Sequence, residues 1–147
     1  MKNNIINAPN GAGFFGYIEG VTTKRYTIPE APIVLRHGFH KERHGKGTGF
    51  GAKHIWAGHS ADLIRWGYPT LAHVSQYCEA ILKHGVPVYP NQKTPGHSRL
   101  VAIRTYHGQV VVEYQAGQNV WSIVTAYKTR KPGGVQVTRI ISAPGMP

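Results

Sequence analysis

The sequence predicts an α+β fold in which N-terminal helices pack on a C-terminal four-stranded antiparallel sheet. Two segments with helical spacing lie between residues 51 and 83, and four β-branched or aromatic runs follow from residue 99 onwards. The connections HG, GQN and KPGG between these runs have the length and composition of hairpin turns. Helices followed by an antiparallel meander are typical of a sheet that carries helices on one face and leaves the other face open.

The first 50 residues are expected to contain little regular structure. Residues 1–30 are rich in Asn, Gly, Thr and Pro and have no period, so they predict a mostly irregular lead-in to a single domain over residues 31–147. The apolar run in residues 31–38 (APIVLRHG) predicts a short edge strand. Residues 40–51 (HKERHGKGTGFG) are polar, basic and rich in glycine, which favours a loop.

Two helices are predicted next. In residues 52–67 (AKHIWAGHSADLIRWG) apolar side chains recur within a helical pattern, and Gly67 marks the end. Residues 70–83 form the cleaner helix, with Thr70 as its N-cap and Gly85 beyond its last turn. The apolar face of this second helix consists of Leu71, Val74, Tyr77, Cys78, Ile81 and Leu82.

The four predicted strands cover residues 99–107, 109–116, 120–129 and 134–142. Because side chains alternate along a strand, one face of the third strand is expected to carry Trp121, Ile123, Thr125 and Tyr127. That face would end in two hydroxyl groups, those of Thr125 and Tyr127. Arg99 and Arg104 belong to the first strand, where they would either contact a phosphate on the open face of the sheet or simply be solvated.

The charge of the chain points to a polyanionic partner. Seventeen Lys and Arg against six Asp and Glu give a net charge of +11, with nine histidines in addition. For a small protein the usual polyanion is nucleic acid. One cysteine excludes an intramolecular disulfide and a cysteine-based zinc site. No apolar run approaches the ~20 residues that cross a bilayer, and the N-terminus lacks the apolar core of a signal peptide, so no membrane partner is expected.

Several catalytic classes are excluded by what the sequence lacks. Acidic residues are too few and too scattered for a two-metal carboxylate nuclease. GKGTGFG lacks the ending of a nucleotide-binding P-loop, and no serine nucleophile elbow is present. Histidines, basic groups and hydroxyls remain, and they suit metal-independent cleavage of RNA by attack of the ribose 2′-OH on its own phosphate. Neither a metal nor a cofactor is expected.

His54 is the first catalytic candidate, since it lies at the start of a helix behind Gly51. The glycine would let a phosphate approach the backbone, and the amides of the first turn would bind it. His59 lies five residues further on, about 140° around a regular helix, so the two rings should not face one substrate together. For His59 a structural role near Asp62 or Ser60 stays open beside a catalytic one.

Five motifs together resemble a phage- and prophage-associated nuclease domain of the barnase–EndoU–colicin–RelE-like group of toxin ribonucleases. The resemblance covers residues 33–130. The motifs are L-x-x-G-x-H (35–40), GFG-x-x-HIW-x-x-H (49–59), GYPT (67–70), HSRL (97–100) and VTAYKT (124–129).

The resemblance implies helices followed by an antiparallel sheet, and metal-independent RNA cleavage of the kind used by toxins in toxin–antitoxin, phage or interbacterial-competition systems. By position, the matching catalytic residues are His40, His54, His59, Thr125 and Tyr127. His40 would be the acid–base counterpart of His54. Lys128, next to Tyr127, would suit a phosphate contact.

The resulting hypothesis is an endoribonuclease toxin that acts on RNA in the cytoplasm, with tRNA as one candidate substrate. The product would be a 2′,3′-cyclic phosphate. A cognate antitoxin or immunity protein is the candidate second partner, and delivery into a target cell is left open. The first alternative is a non-catalytic nucleic-acid-binding phage or regulatory protein on the same fold. The second is zinc-dependent hydrolysis through His37, His40 and His44.

Overall fold

The computed structural model describes residues 1–90, 100–129 and 134–142. Within them the strands are β1 (Ile5–Ile6), β2 (Tyr17–Ile18), β3 (Val21–Thr22), β4 (Thr27–Ile28), β5 (Ala31–Arg36), β6 (Phe39–Arg43), β7 (Lys46–Phe50), β8 (Pro87–Pro90), β9 (Leu100–Thr105), β10 (Gly108–Gln115), β11 (Val120–Tyr127) and β12 (Thr138–Ile141). The helices are α1 (Gly51–Arg65) and α2 (Val74–Ile81), with a 3-10 turn (Leu71–His73) before α2.

The main sheet closes on itself. Its strand order is β1-β5-β11-β10-β9-β8-β12-β2, and β2 pairs in addition with β5, which completes a seven-stranded β-barrel. Strand β5 carries β11 as a parallel neighbour on one edge, while β2 and β1 share its other edge. The predicted fold, helices on an open four-stranded antiparallel sheet, is therefore wrong. Closure satisfies backbone groups that an open sheet would leave at its edges.

Part of the predicted meander is confirmed. Strands β9, β10 and β11 are consecutive antiparallel neighbours, as the hairpin-length turns indicated. The fourth run is placed differently, because β12 pairs with β8 and β2 instead of β11. The expected loop over residues 40–51 is in fact the hairpin β6–β7 and the start of α1. His44 and Gly45 turn this hairpin with positive φ angles of 52° and 78°.

Strand β11 contains a bulge that changes which residues share a face. Val112 pairs with Ile123 and Val111 pairs with Thr125, so Val124 is an extra residue. The core includes Trp121 and Ile123 before the bulge and Ala126 after it. Thr125 and Tyr127 consequently do not alternate in step with Trp121, and the predicted common face of these residues is wrong.

The predicted bounds of the first helix agree with the structure more closely than those of the second. Helix α1 ends at Arg65, and Gly67 follows with a φ of 97°. The second predicted helix begins as a 3-10 turn and ends at Ile81. The Thr70 side chain makes no capping hydrogen bond to a backbone amide of this helix. Its hydroxyl instead lies 2.6 Å from Nδ1 of His73. No helix within the described ranges is long and apolar enough to cross a membrane.

The core brings together both halves of the chain. Strand and helix side chains form one buried cluster, in which the largest include Trp121, Ile33, Ile55, Leu63, Ile81 and Ile103. The segment expected to be a mostly irregular lead-in contributes Phe15, Ile18 and Ile28 to the same cluster. Helix α1 packs against β11 and against the β6–β7 hairpin, and this packing positions the candidate site.

Candidate active site

The β6–β7 hairpin and helix α1 bring two histidines together. Nδ1 of His40 lies 2.9 Å from Nδ1 of His54, and the rings stack with centroids 5.1 Å apart. A hydrogen bond between two imidazole nitrogens needs one donor and one acceptor, so a single proton lies between them. His40, the expected acid–base counterpart of His54, is therefore hydrogen-bonded directly to it.

The glycines around this pair serve close packing. A Cβ atom on Gly47 would lie 2.7 Å from Cε1 of His40, so a side chain there would displace the imidazole. Gly51 has a φ of 80°, and a Cβ there would lie 2.5 Å from the carbonyl oxygen of Arg36. The space beside Gly51 is thus filled by backbone, and the adjacent Lys53 amide donates to the His37 carbonyl at 2.9 Å. The expected approach of a phosphate at Gly51 is not open.

The contact of the second nitrogen of His40 favours one direction for the hydrogen bond. Nε2 of His40 lies 3.4 Å from a carboxylate oxygen of Glu42, which can only accept. With its proton on Nε2, neutral His40 accepts at Nδ1 from the Nδ1–H of His54. Nε2 of His54 then carries a free lone pair. The arrangement favours the tautomer of His54 that acts as a base through Nε2.

The electrostatic surroundings keep His54 neutral. Burial lowers its pKa below the ordinary value of 6.5, and positive charge on His40 and on His59 lowers the pKa further. The neutral imidazole is the form that accepts a proton. The lowered pKa and the tautomer therefore both favour His54 as a proton acceptor at neutral pH.

His59 lies at a kink, which is why the regular-helix estimate fails for it. Its φ of −136° and ψ of 17° interrupt the helical geometry of α1. The His59 ring stacks on Tyr127 with centroids 5.5 Å apart, and its charge acts on His54. Burial lowers the pKa of His59, against a smaller raising effect of Asp62. His59 is therefore close enough to His54 to act on it electrostatically, and its ring packs on the end of β11.

Tyr127 takes part in a chain of hydrogen bonds across three strands. Its hydroxyl oxygen accepts from Nε2 of Gln109 at 2.8 Å, and the Gln109 carbonyl accepts from Nε of Arg104 at 2.5 Å. The Arg104 guanidinium lies over the Tyr89 ring, 4.6 Å from its centroid. Arg104 is thus part of the site, although it reaches Tyr127 through Gln109.

The remaining predicted residues differ in how closely they join this group. Thr125 precedes Tyr127 by two residues on β11 and is half-buried, with no hydrogen bond from its hydroxyl to any described residue. Nζ of Lys128 lies 5.7 Å from the centroid of the Trp66 ring, beyond the end of β11. Arg99 lies outside the described residues.

Sequence reasoning missed Gln109 and Glu42, since neither has a side chain that marks a catalytic motif. The register of the two hairpins could have pointed to Gln109, because this residue is the direct cross-strand partner of both Arg104 and Tyr127. Glu42 is two residues from His40 on β6, the spacing that places both side chains on one side of a strand.

The structure does not bring together the three histidines proposed as zinc ligands. Among residues 1–90, 100–129 and 134–142, no three side chains of His, Cys, Asp or Glu gather as metal ligands would. His44 lies at the exposed tip of the β6–β7 hairpin, and His37 borders a different groove with Ala52 and Leu71.

The arrangement as a whole offers a proton acceptor at His54 and a hydroxyl donor at Tyr127, with the His59 ring stacked on Tyr127. These groups can move protons to and from the oxygens of a phosphodiester. No family model, curated protein or solved structure matches this chain.

Proposed function

We propose that this protein is a metal-independent endoribonuclease that cleaves RNA through attack of a ribose 2′-OH on the adjacent phosphodiester. The single observation that supports it best is the hydrogen bond between His40 and His54, because it leaves Nε2 of His54 ready to take a proton. Tyr127 supports it as the complementary donor, and the ring of His59 stacks on that tyrosine.

The reaction requires one proton to be removed and one to be supplied. Nε2 of His54 takes the proton of the 2′-OH while the 2′ oxygen forms its bond to phosphorus. The bond from phosphorus to the 5′ oxygen breaks, and this oxygen receives the Tyr127 hydroxyl proton. The products are a 2′,3′-cyclic phosphate and a free 5′-OH, and return of the proton from His54 to Tyr127 through solvent regenerates the protein.

Charge stabilisation would come from the end of β11 and its neighbours. The transition state carries negative charge on the phosphoryl oxygens, where preorganised donors have their largest effect. The Thr125 hydroxyl and the Lys128 ammonium group lie on either side of Tyr127 in the chain and are candidates for these contacts. The net charge of +11 would raise the local concentration of RNA.

The biological setting proposed from the motif resemblance is that of a toxin acting on cytoplasmic RNA, with tRNA as a candidate substrate. An antitoxin or immunity protein would then be the partner that restrains it. Only the residues and the chemistry of the resemblance enter this proposal, since the closed barrel differs from the helices-on-sheet fold that it implied.

The test is incubation of the protein with total RNA and with tRNA in the presence of EDTA. We expect cleavage with 2′,3′-cyclic phosphate ends, detected by mass spectrometry, and its loss in His54→Gln and Tyr127→Phe. His84→Gln is the matched control, because His84 is exposed and bonds Ser142 instead of the site. Intact RNA with a salt-sensitive mobility shift would reject the enzyme in favour of the non-catalytic binder. Cleavage that EDTA abolishes would reject the metal-independent mechanism.

A further inference from the structure

Gln109 occupies the centre of the three-stranded part of the site. On one side its Cα partner is Arg104 of β9, and on the other it is Tyr127 of β11. The residue is only 8 % exposed, so its amide bonds mainly to protein groups. A buried amide with two strong partners holds one orientation.

The direction of the amide follows from the chemistry of arginine. A guanidinium has N–H donors and no acceptor, so the Gln109 atom 2.5 Å from Nε of Arg104 must be the oxygen. The amide nitrogen is then left for Tyr127, at 2.8 Å, where it donates to the phenolic oxygen. A hydroxyl that accepts this bond has its own proton available on another side.

We propose that Gln109 is a positioning residue that keeps Tyr127 as a hydrogen-bond donor towards the site. The role of Gln109 in catalysis rests on the proposed ribonuclease function. The direction of the Gln109–Tyr127 hydrogen bond is independent of that function. When Tyr127 gives its proton to the leaving 5′ oxygen, negative charge forms on the phenolic oxygen. The Gln109 amide already points at that oxygen, so its bond strengthens as the charge develops.

The variant Gln109→Glu reverses the bond without changing the size of the side chain. A carboxylate can only accept, so it takes a bond from Arg104 and a second from the Tyr127 hydroxyl, which turns inward. We expect kcat for RNA cleavage to fall by about 10²-fold with little change in KM, close to Tyr127→Phe. Gln115→Glu is the matched control, as Gln115 lies on the same strand and accepts from Arg36 at 2.9 Å. It should cleave RNA at the rate of the unmodified protein.

A spectroscopic measurement without RNA separates this proposal from the proposed function. The intensity ratio of the tyrosine Fermi doublet in Raman spectra reports whether the phenolic oxygen accepts a hydrogen bond or the hydroxyl strongly donates one. Subtracting the spectrum of Tyr127→Phe isolates Tyr127. We expect an accepting signature in the unmodified protein and a strong-donor signature in Gln109→Glu, with no change in Gln115→Glu.

The outcomes decide between the two ideas. A strong-donor signature in the unmodified protein, or a Tyr127 signal that Gln109→Glu leaves unchanged, overturns the role of Gln109. If Gln109→Glu does not fold, the spectrum of the unmodified protein still decides. An accepting signature in a protein that leaves RNA intact supports the hydrogen-bond direction and rejects the ribonuclease.

Discussion

The Nδ1 atoms of His40 and His54 lie 2.9 Å apart, and the hydrogen bond between them holds one proton between two rings. While this bond is intact the pair carries at most one positive charge. Two protonated rings would each have an N–H at Nδ1, and neither could accept the hydrogen bond. Strand β6 supplies one ring and helix α1 the other. In the proposed reaction His40 is consequently an orienting partner of His54, and several predictions depend on this bond.

The pH dependence of cleavage should show an acidic limb centred below pH 6.5. Burial first, and then the charges of His40 and His59, lower the pKa of His54 from its ordinary value of 6.5. A general base acts when deprotonated, so kcat/KM rises with pH through the lowered pKa and is complete by neutral pH. Initial rates on a defined RNA at constant ionic strength measure it. A limb centred at or above 6.5 would contradict the assignment.

The lowered pKa values of His54 and His59 should also make the folding stability depend on pH. In the unfolded chain His54 and His59 regain pKa values near 6.5, whereas burial lowers both in the folded protein. The unfolded state therefore binds more protons, and the free energy of unfolding falls as the pH drops from about 6.5 through the lowered values. Urea denaturation at neutral pH and at about pH 5 tests this. His54→Gln should lose less stability between the two conditions, and an equal loss would count against the shift.

Replacing Glu42 tests how the tautomer of His40 is selected. Glu42→Gln replaces a carboxylate that can only accept with an amide that can accept or donate, which weakens the preference for a proton on Nε2 of His40. Glu42 is 72 % exposed, however, and its contact is 3.4 Å long. Exposed pairs contribute about 0.2–1 kcal/mol, so we expect kcat to fall by no more than about fivefold.

His40→Ala should cost more, about 10- to 100-fold, because it removes the bond to His54 itself. Glu79→Gln, on α2 beside a separate groove with Lys83 and His84, is the control and should cleave normally. Equal effects of Glu42→Gln and His40→Ala would show that the carboxylate has another role.

Gly47→Ala should damage the site while leaving the barrel folded. The added methyl group would lie 2.7 Å from Cε1 of His40, so the ring must move and the 2.9 Å bond to His54 is lost. Gly117→Ala is the comparison, since a Cβ there meets no atom within 4 Å. Histidine tautomers measured by nitrogen-15 NMR, together with cleavage rates, read out the change. Unaltered His54 signals in Gly47→Ala would disprove the steric role of Gly47.

Closure of the barrel by β2 should be visible in stability. Ile18 is fully buried on this two-residue strand, and replacing a buried isoleucine with alanine costs about 2–5 kcal/mol. Ile5 on β1 is 46 % exposed, so Ile5→Ala should change the free energy of unfolding by only about 0.5 kcal/mol. Chemical denaturation of both variants makes the comparison. Similar losses would argue against β2 as a structural strand.

Long, periodic segments were predicted well, because their pattern repeats often enough to be recognised. Helix α1 and the hairpins of β9, β10 and β11 belong to this group. The two-residue strand β2 was not predicted, since it has no room for alternation, yet its pairing with β5 closes the barrel. The bulge at Val124 and the kink at His59 were also missed, as each is a local departure from the regular geometry assumed.

The sequence by itself determined the chemistry available to the protein: histidines, hydroxyls and a surplus of cations, with few carboxylates. Only the tertiary structure decided which of these groups meet. His40 and His54 come from a hairpin and a helix, and Gln109 joins Arg104 to Tyr127 across two strand registers. Such contacts depend on how separate elements pack, and on which atom of each pair can donate a proton. Neither is encoded in the periodicity of a single segment.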